Sequence, residues 1–209
     1  MFGYWRISTK EHPMDLHLRD KHPSGLRTIR HTSQRFLGMG LIGLGLIGPA
    51  QASTPVTPIA TLDVPRYMGT WYEIARYPAW FQRKCVGSTS AQYSLLEGGK
   101  VQVLNRCKMA NGEWNEAVGL ARQIGGETSA QLKVRFAPEW LSFIPMVWGD
   151  YWVIALDPQY QWSIVSEPSR QYLWILSRTP TLPRATYEQL LQQLGAMGFD
   201  LKKIETSAP

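Results

Sequence analysis

Chemistry in this chain has few residues to work with. All four histidines, His12, His17, His22 and His31, fall within the first 31 residues. From residue 53 onward there is none, so a Ser-His-Asp or Cys-His site cannot be assembled there. The commonest transition-metal ligand is missing too. Two cysteines remain, Cys85 and Cys107. Without a histidine, two thiolates make a poor zinc site. They flank a hairpin, and an oxidising compartment would favour a disulfide over free thiols. No metal and no cofactor is expected. The acid whose position invites attention is Glu73, in Gly69-Thr70-Trp71-Tyr72-Glu73-Ile74-Ala75-Arg76. On an extended strand Trp71, Glu73 and Ala75 share one face, and Tyr72, Ile74 and Arg76 the other. An inward carboxylate needs a tyrosine hydroxyl or an arginine as partner, or it is held neutral. A satisfied structural glutamate is the plainer reading, a catalytic acid or base the sharper one.

The ends of the chain set the compartment. Arg27, Arg30 and Arg35 lead into a 13-residue apolar run, 36–48, and then Ala50-Gln51-Ala52. A basic region, a short apolar run and an Ala-x-Ala site read as a secretory signal peptide removed after Ala52. The run is too short and too rich in glycine for a membrane anchor. The polar lead before it is unusually long, which leaves a start at Met14 or a disordered lead as alternatives. On this reading 1–52 is the signal segment, 53–66 an extended N-terminal segment and 67–209 the folded domain. The removed part holds 7 of the 22 Lys and Arg and 3 of the 16 Asp and Glu, so the rest carries 15 against 13. A net charge of +2 withdraws the main support for nucleic-acid binding, and none is expected. Ser53 stands at the cleavage point, so attachment through an N-terminal lipidated cysteine is not expected.

The elements that must position these residues are strands. Period-two alternation is readable at about 70–77, 89–95, 101–105, 116–122, 132–136, 150–156, 162–166 and 172–177. Between them lie turn signals, among them Gly98-Gly99, Asn111-Gly112 and Gly125-Gly126. Eight strands at regular spacing argue for an all-β sandwich or up-and-down barrel. The segment 137–149 has two prolines and six large apolar residues. It is either folded onto the core or forms an apolar lid or lip at a cavity mouth. One helix follows, with Pro183 at its entrance and Thr186 as candidate cap. Tyr187, Leu190, Leu191, Leu194 and Met197 make an apolar stripe for the outside of the sheet.

Three stretches in this order carry a family resemblance. They are Gly69-Thr70-Trp71-Tyr72-Glu73-Ile74-Ala75-Arg76, Gly149-Asp150-Tyr151, and Tyr172-Leu173-Trp174-Ile175-Leu176-Ser177-Arg178-Thr179-Pro180. Residues 60–205 resemble the lipocalin family, most closely its bacterial lipocalin and apolipoprotein D branch. The resemblance implies an eight-stranded antiparallel up-and-down β-barrel with a ligand cup inside and a C-terminal α-helix packed outside. Gly69, Trp71, Asp150, Tyr151 and Arg178 would be the structural motif residues, with Arg178 lying across Trp71 at the closed end. It implies binding of a small lipophilic ligand, a fatty acid or lysophospholipid, rather than catalysis. A role in maintaining the cell envelope goes with it. Alternatives are a lipocalin-type enzyme and a pigment or haem carrier. Location would be periplasmic or secreted, or peripheral at the outer membrane, as monomer or homodimer. Trp140, Phe143, Ile144 and Trp148 would offer weak contact with a membrane surface.

Strand parity then names a lining. With Trp71 inward, Glu73 and Ala75 follow; with Tyr151 inward, Val153 and Ala155 follow. Counting back from Arg178 puts Leu176, Trp174 and Tyr172 inside. Ala91, Tyr93, Val101, Val103, Val134 and Phe136 are added to the wall on the same alternation, and a one-residue slip would invert any of them. Trp140 and Trp148 are added as ligand contacts from the apolar loop.

Overall fold

The computed structural model describes residues 54–208. The expected signal segment, its cleavage point at Ser53 and the start at Met14 lie outside the described residues. A short helix α1 (Val64–Tyr67) precedes eight strands: β1 (Gly69–Arg76), β2 (Cys85–Leu95), β3 (Val101–Met109), β4 (Trp114–Gln123), β5 (Gln131–Arg135), β6 (Gly149–Leu156), β7 (Trp162–Ser166) and β8 (Leu173–Ser177). Helix α2 (Arg184–Ala196) and a two-residue strand β9 (Glu205–Thr206) follow. Each of the eight pairs antiparallel with its neighbours in sequence, and β1 pairs with both β8 and β2. The register Gly69↔Tyr93 to Tyr72↔Ser90 closes the sheet into a barrel.

Closure involves only the first half of β1. Beyond it β1 parts from β2, and β9 enters the gap, pairing Ala75↔Thr206 and Arg76↔Glu205. The Ser207 amide donates to the Ile74 carbonyl, and the Ser88 amide to that of Ala208, so the C-terminal tail bridges both staves. This tail strand carries no periodic signal, being two exposed residues long. The earlier start of β2, at Cys85 rather than 89, was hidden for a related reason. Its register shifts between Cys85 and Gly87 and again before Ser90, and irregular pairing erases the alternation.

Two cores result. One fills the barrel, around Trp71, Tyr93, Val153, Val165 and Leu176. The other lies outside, where Leu190 and Leu194 of α2 press on Ile154, Ile164, Leu173 and Ile175. The expected stripe is the buried face: Tyr187, Leu191 and Met197 flank those two leucines. Burying such a side chain stabilises by about 1.5–3 kcal/mol. The helix begins two residues before the candidate cap: Pro183 is the N-cap residue, and Thr186 lies in the first turn. Among the described residues no helix is long and apolar enough to cross a membrane.

Bulges decide which residues face which core. On β1, Glu73 pairs with Leu176, which faces the interior, but Ala75 pairs with Ile175, which faces α2. A register shift between them leaves Ile74 over. Ala75 therefore lies on the outer wall, contrary to the parity reading, and Arg76 turns inward instead. On β6 the same device separates Val153, opposite interior Val165, from Ala155, opposite outer Ile164. Ala155 is outside too. Both shifts fall where α2 packs, and each presents a small residue to the helix.

Cys85 and Cys107 form a disulfide, with Cα atoms 5.5 Å apart, tying the irregular start of β2 to the end of β3. Closing a loop of 22 residues restricts the unfolded chain by about 3 kcal/mol. Replacing both cysteines with serine is expected to lower unfolding free energy by about that amount, read as a shifted urea midpoint.

Candidate functional site

One end of the barrel is plugged by a single stacked assembly. Trp71 is completely buried, and its indole nitrogen donates to the Tyr67 carbonyl at 2.8 Å. The Arg178 guanidinium lies 3.9 Å from the centre of the Trp71 ring. It donates to the carbonyls of Thr70 at 3.1 Å, Arg66 at 3.0 Å and Tyr160 at 3.3 Å. One planar group thus stacks on the ring and satisfies three chain segments, which a lysine ammonium cannot reproduce. Gly69 is required here. Its φ is +97°, and a Cβ would come within 3.2 Å of Arg178 Nη1. From outside, Leu62 and Val64 of the N-terminal segment complete the plug.

Above it lies a polar layer that the parity reading half anticipated. Tyr93 and Tyr151 share a hydroxyl–hydroxyl bond of 3.0 Å, Tyr151 and Tyr67 another of 3.0 Å, and Tyr67 bonds Ser163 at 2.9 Å. Burial lifts the Tyr67 hydroxyl to about 12 and pushes Tyr93 and Tyr151 upward as well, so all three are neutral phenols. Tyr67 sits before the first strand, where periodicity says nothing, and Ser163 gives no signal beyond parity.

Beyond the tyrosines the inward-facing residues become smaller and less buried. Pairing sets Ala91, Asn105 and Ala117 side by side on one wall, next to Val103 and Gly119. Gly119 is necessary, since a Cβ would fall 2.7 Å from the Phe136 ring and 2.8 Å from the Arg135 carbonyl. Phe136 lies against it, half exposed. The strands across from this wall carry Tyr172 and Trp174, whose rings stack 5.9 Å apart, with Phe81 against both. Several of these interior groups are only partly buried, among them Asn105, Ala117, Tyr151 and Trp174. They face inward above the tyrosine floor, where the lining of a cup would lie.

Glu73 is held near the mouth. It accepts from Ser207 Oγ at 2.5 Å and Gln82 Nε2 at 2.6 Å, and it is ion-paired with Arg76 Nε at 3.1 Å. Gln82 in turn accepts from the Trp174 indole at 3.1 Å. Burial raises the Glu73 pKa, and its hydrogen bonds and Arg76 only partly offset this. The carboxylate is thus the satisfied structural glutamate of the plainer reading. Its arginine comes from the bulge, and its serine from a tail that strand parity does not reach.

The apolar loop does not supply the two ligand contacts, Trp140 and Trp148, that were expected of it. Trp148 is on the outer wall, its ring 4.4 Å from the Arg122 guanidinium and 5.2 Å from that of Arg135, with its nitrogen donating to the Ser142 carbonyl. Gly149 faces Val134 on the inside, so the residue before it points out. Trp140, Phe143 and Met146 are 70%, 78% and 93% exposed, so the loop is neither folded onto the core nor lining the cup. Trp80, on the loop after β1, is 72% exposed at the same open end. Asp150 pairs with Lys133 at 2.7 Å on the outer face. Val153 and Tyr93 face inward as expected. Among the described residues no cluster of His, Cys, Asp and Glu could hold a metal ion.

Comparison with known proteins agrees with this architecture. The Lipocalin-like domain family matches residues 62–209. Temperature-induced lipocalin-1 of Arabidopsis thaliana is 44% identical over 145 residues, covering 68% of this chain and 77% of the plant protein. Outer membrane lipoprotein Blc of Escherichia coli K12 is 39% identical over 162 residues, 76% of this chain and 87% of Blc. Among solved structures, insecticyanin from the tobacco hornworm superposes with a TM-score of 0.58 at 20% identity, covering 76% of this chain and 86% of that one.

Two measurements test the plug and the buried acid. Arg178→Lys should remove about 2 kcal/mol, lowering Tm by about 5 °C, with ligand affinity much less affected. Melting identical to wild type would contradict the role given to the guanidinium fork. For Glu73, the folded protein holds the proton more tightly than the unfolded chain. Its contribution is therefore full below the ordinary carboxylate value and is lost as pH rises through the raised one. The stability of wild type relative to Glu73→Gln should decline over that window, measured by urea unfolding across pH.

Proposed function

Because the chain belongs to the lipocalin-like family, we propose that its barrel binds and carries a small hydrophobic ligand, a fatty acid or lysophospholipid. The observation that carries this reading is the cup itself. Its walls are alanine, valine, glycine and aromatic rings, and they remain partly open above a closed floor. Such a surface binds an elongated apolar molecule by burial, at about 0.8 kcal/mol per CH₂. Interiors of eight-stranded barrels suit one small ligand. Glu73, the inward acid, is engaged by Ser207, Gln82 and Arg76, which supports binding over catalysis.

The protein is proposed to act after export, in the periplasm or outside the cell, as a monomer or homodimer, in upkeep of envelope lipids. The exposed side chains of Trp80, Trp140, Phe143 and Met146 stand at the open end, and Arg83 and Lys84 are exposed on the same loop as Trp80. Aromatic and basic groups together favour weak contact with a membrane surface, where a ligand could pass directly into the cup.

Purified exported protein, extracted with organic solvent, should yield acyl lipid by mass spectrometry. A fluorescent fatty acid should bind with quenching of the tryptophans and be displaced by unlabelled fatty acid. No binding at micromolar protein would overturn the proposal.

A further inference from the structure

Four hydroxyls run in line through the floor of the cup, from Tyr93 through Tyr151 and Tyr67 to Ser163. Each brings one proton, but the line has only three bonds. Among the described residues neither end has a further acceptor within hydrogen-bond distance. One proton is therefore left over, at Tyr93 or at Ser163, depending on which way the line donates. A buried donor without a partner is costly, because it has lost its water and gained nothing in return.

The two ends are not equivalent. Ser163 is 0% exposed, enclosed between Leu156 and Leu176 on the neighbouring strands. Tyr93 is 7% exposed, beside Tyr151, which is only partly buried and faces the cup. An acceptor can arrive at the Tyr93 end alone, and its arrival polarises the whole line toward it. Because the chain of hydroxyls can reverse, that end can also accept from a ligand hydroxyl.

The group that fits is neutral. A carboxylate placed there would meet one spare proton and no cation in contact with it. Arg178 lies across the Trp71 ring at the plug, and Arg76 is engaged with Glu73. A charged head group stays at the mouth, in water.

We propose that Tyr93, backed by Tyr151, Tyr67 and Ser163, forms a subsite for a neutral oxygen on the inserted end of the ligand. The cup then selects acyl chains that carry a hydroxyl, keto or epoxide oxygen toward their far end. This rests on the lipid-cup reading and specifies which lipids it takes.

The test compares ω-hydroxy fatty acids of about 12 to 16 carbons with the unsubstituted acids of the same lengths, on wild type, Tyr93→Phe and Tyr93→Phe/Tyr151→Phe. Within each protein, the ratio of hydroxy-acid Kd to parent-acid Kd cancels any general effect of the substitution on the cup. At the chain length that reaches the floor, the ratio should rise about three- to tenfold in the double variant. The single variant, which keeps all but one hydroxyl, should show part of that rise and covers the case in which the double variant fails to fold. An unchanged ratio at every length in the folded variants overturns the subsite and leaves the lipid cup standing. Failure of wild type to bind any of the acids overturns both.

Discussion

The stack of Arg178 on Trp71 is the contact on which the rest of this barrel depends. An up-and-down barrel has two open ends, and only one can serve as an entrance. Here a single guanidinium closes the other, joining helix α1, the start of β1 and the turn before β7 through three carbonyls. Two of the three carbonyls lie 108 and 112 residues from Arg178, so the plug also sets where the first and last strands meet. Gly69 belongs to the same unit, since any side chain there would press on the guanidinium. With this end sealed, the tyrosine layer above it becomes a floor, and everything beyond that layer becomes a cup.

A second constraint comes from the helix outside. To seat α2, the barrel needs a small, apolar outer wall, while its interior needs a different set of residues from the same strands. Two bulges reconcile these demands by shifting Ala75 and Ala155 outward without disturbing Glu73 and Val153. The shift on β1 has a chemical consequence. It turns Arg76 inward beside Glu73 and provides the partner that a buried carboxylate requires. The C-terminal tail adds Ser207 to the same carboxylate while covering the gap where β1 leaves β2. Mouth, tail and buried acid are one mechanical unit.

The cup's chemistry is divided between its two ends. Near the mouth, Glu73, Gln82, Arg76 and Ser207 satisfy one another and present Trp174 as an oriented ring. At the floor, the hydroxyl line is one acceptor short. A surface that is mostly apolar thus contains one satisfied polar cluster and one that is incomplete, and the incomplete one is where the proposed contact with a ligand oxygen lies.

Much of this was readable in the residues alone. Eight alternating runs and the helix stripe pointed to a sandwich or barrel with an outer helix, and the family resemblance carried by the Gly-x-Trp strand and the Tyr172–Arg178 stretch implied the closed barrel and its plug. The period of a strand is local and can be read directly, whereas the role of Arg178 came through the resemblance. The lining was legible only where strands pair regularly, as at Ala91, Tyr93, Val103 and Val153. Ala75, Ala155 and Trp148 were misplaced because a bulge or a loop end changes the face without changing the pattern of residue types. Arg76, Gln82, Ser207, Tyr67 and Ser163 could be assigned only from the folded chain. Their partners are brought by closure of the barrel and by the return of its C-terminal tail, and sequence spacing holds no trace of a contact made across that distance.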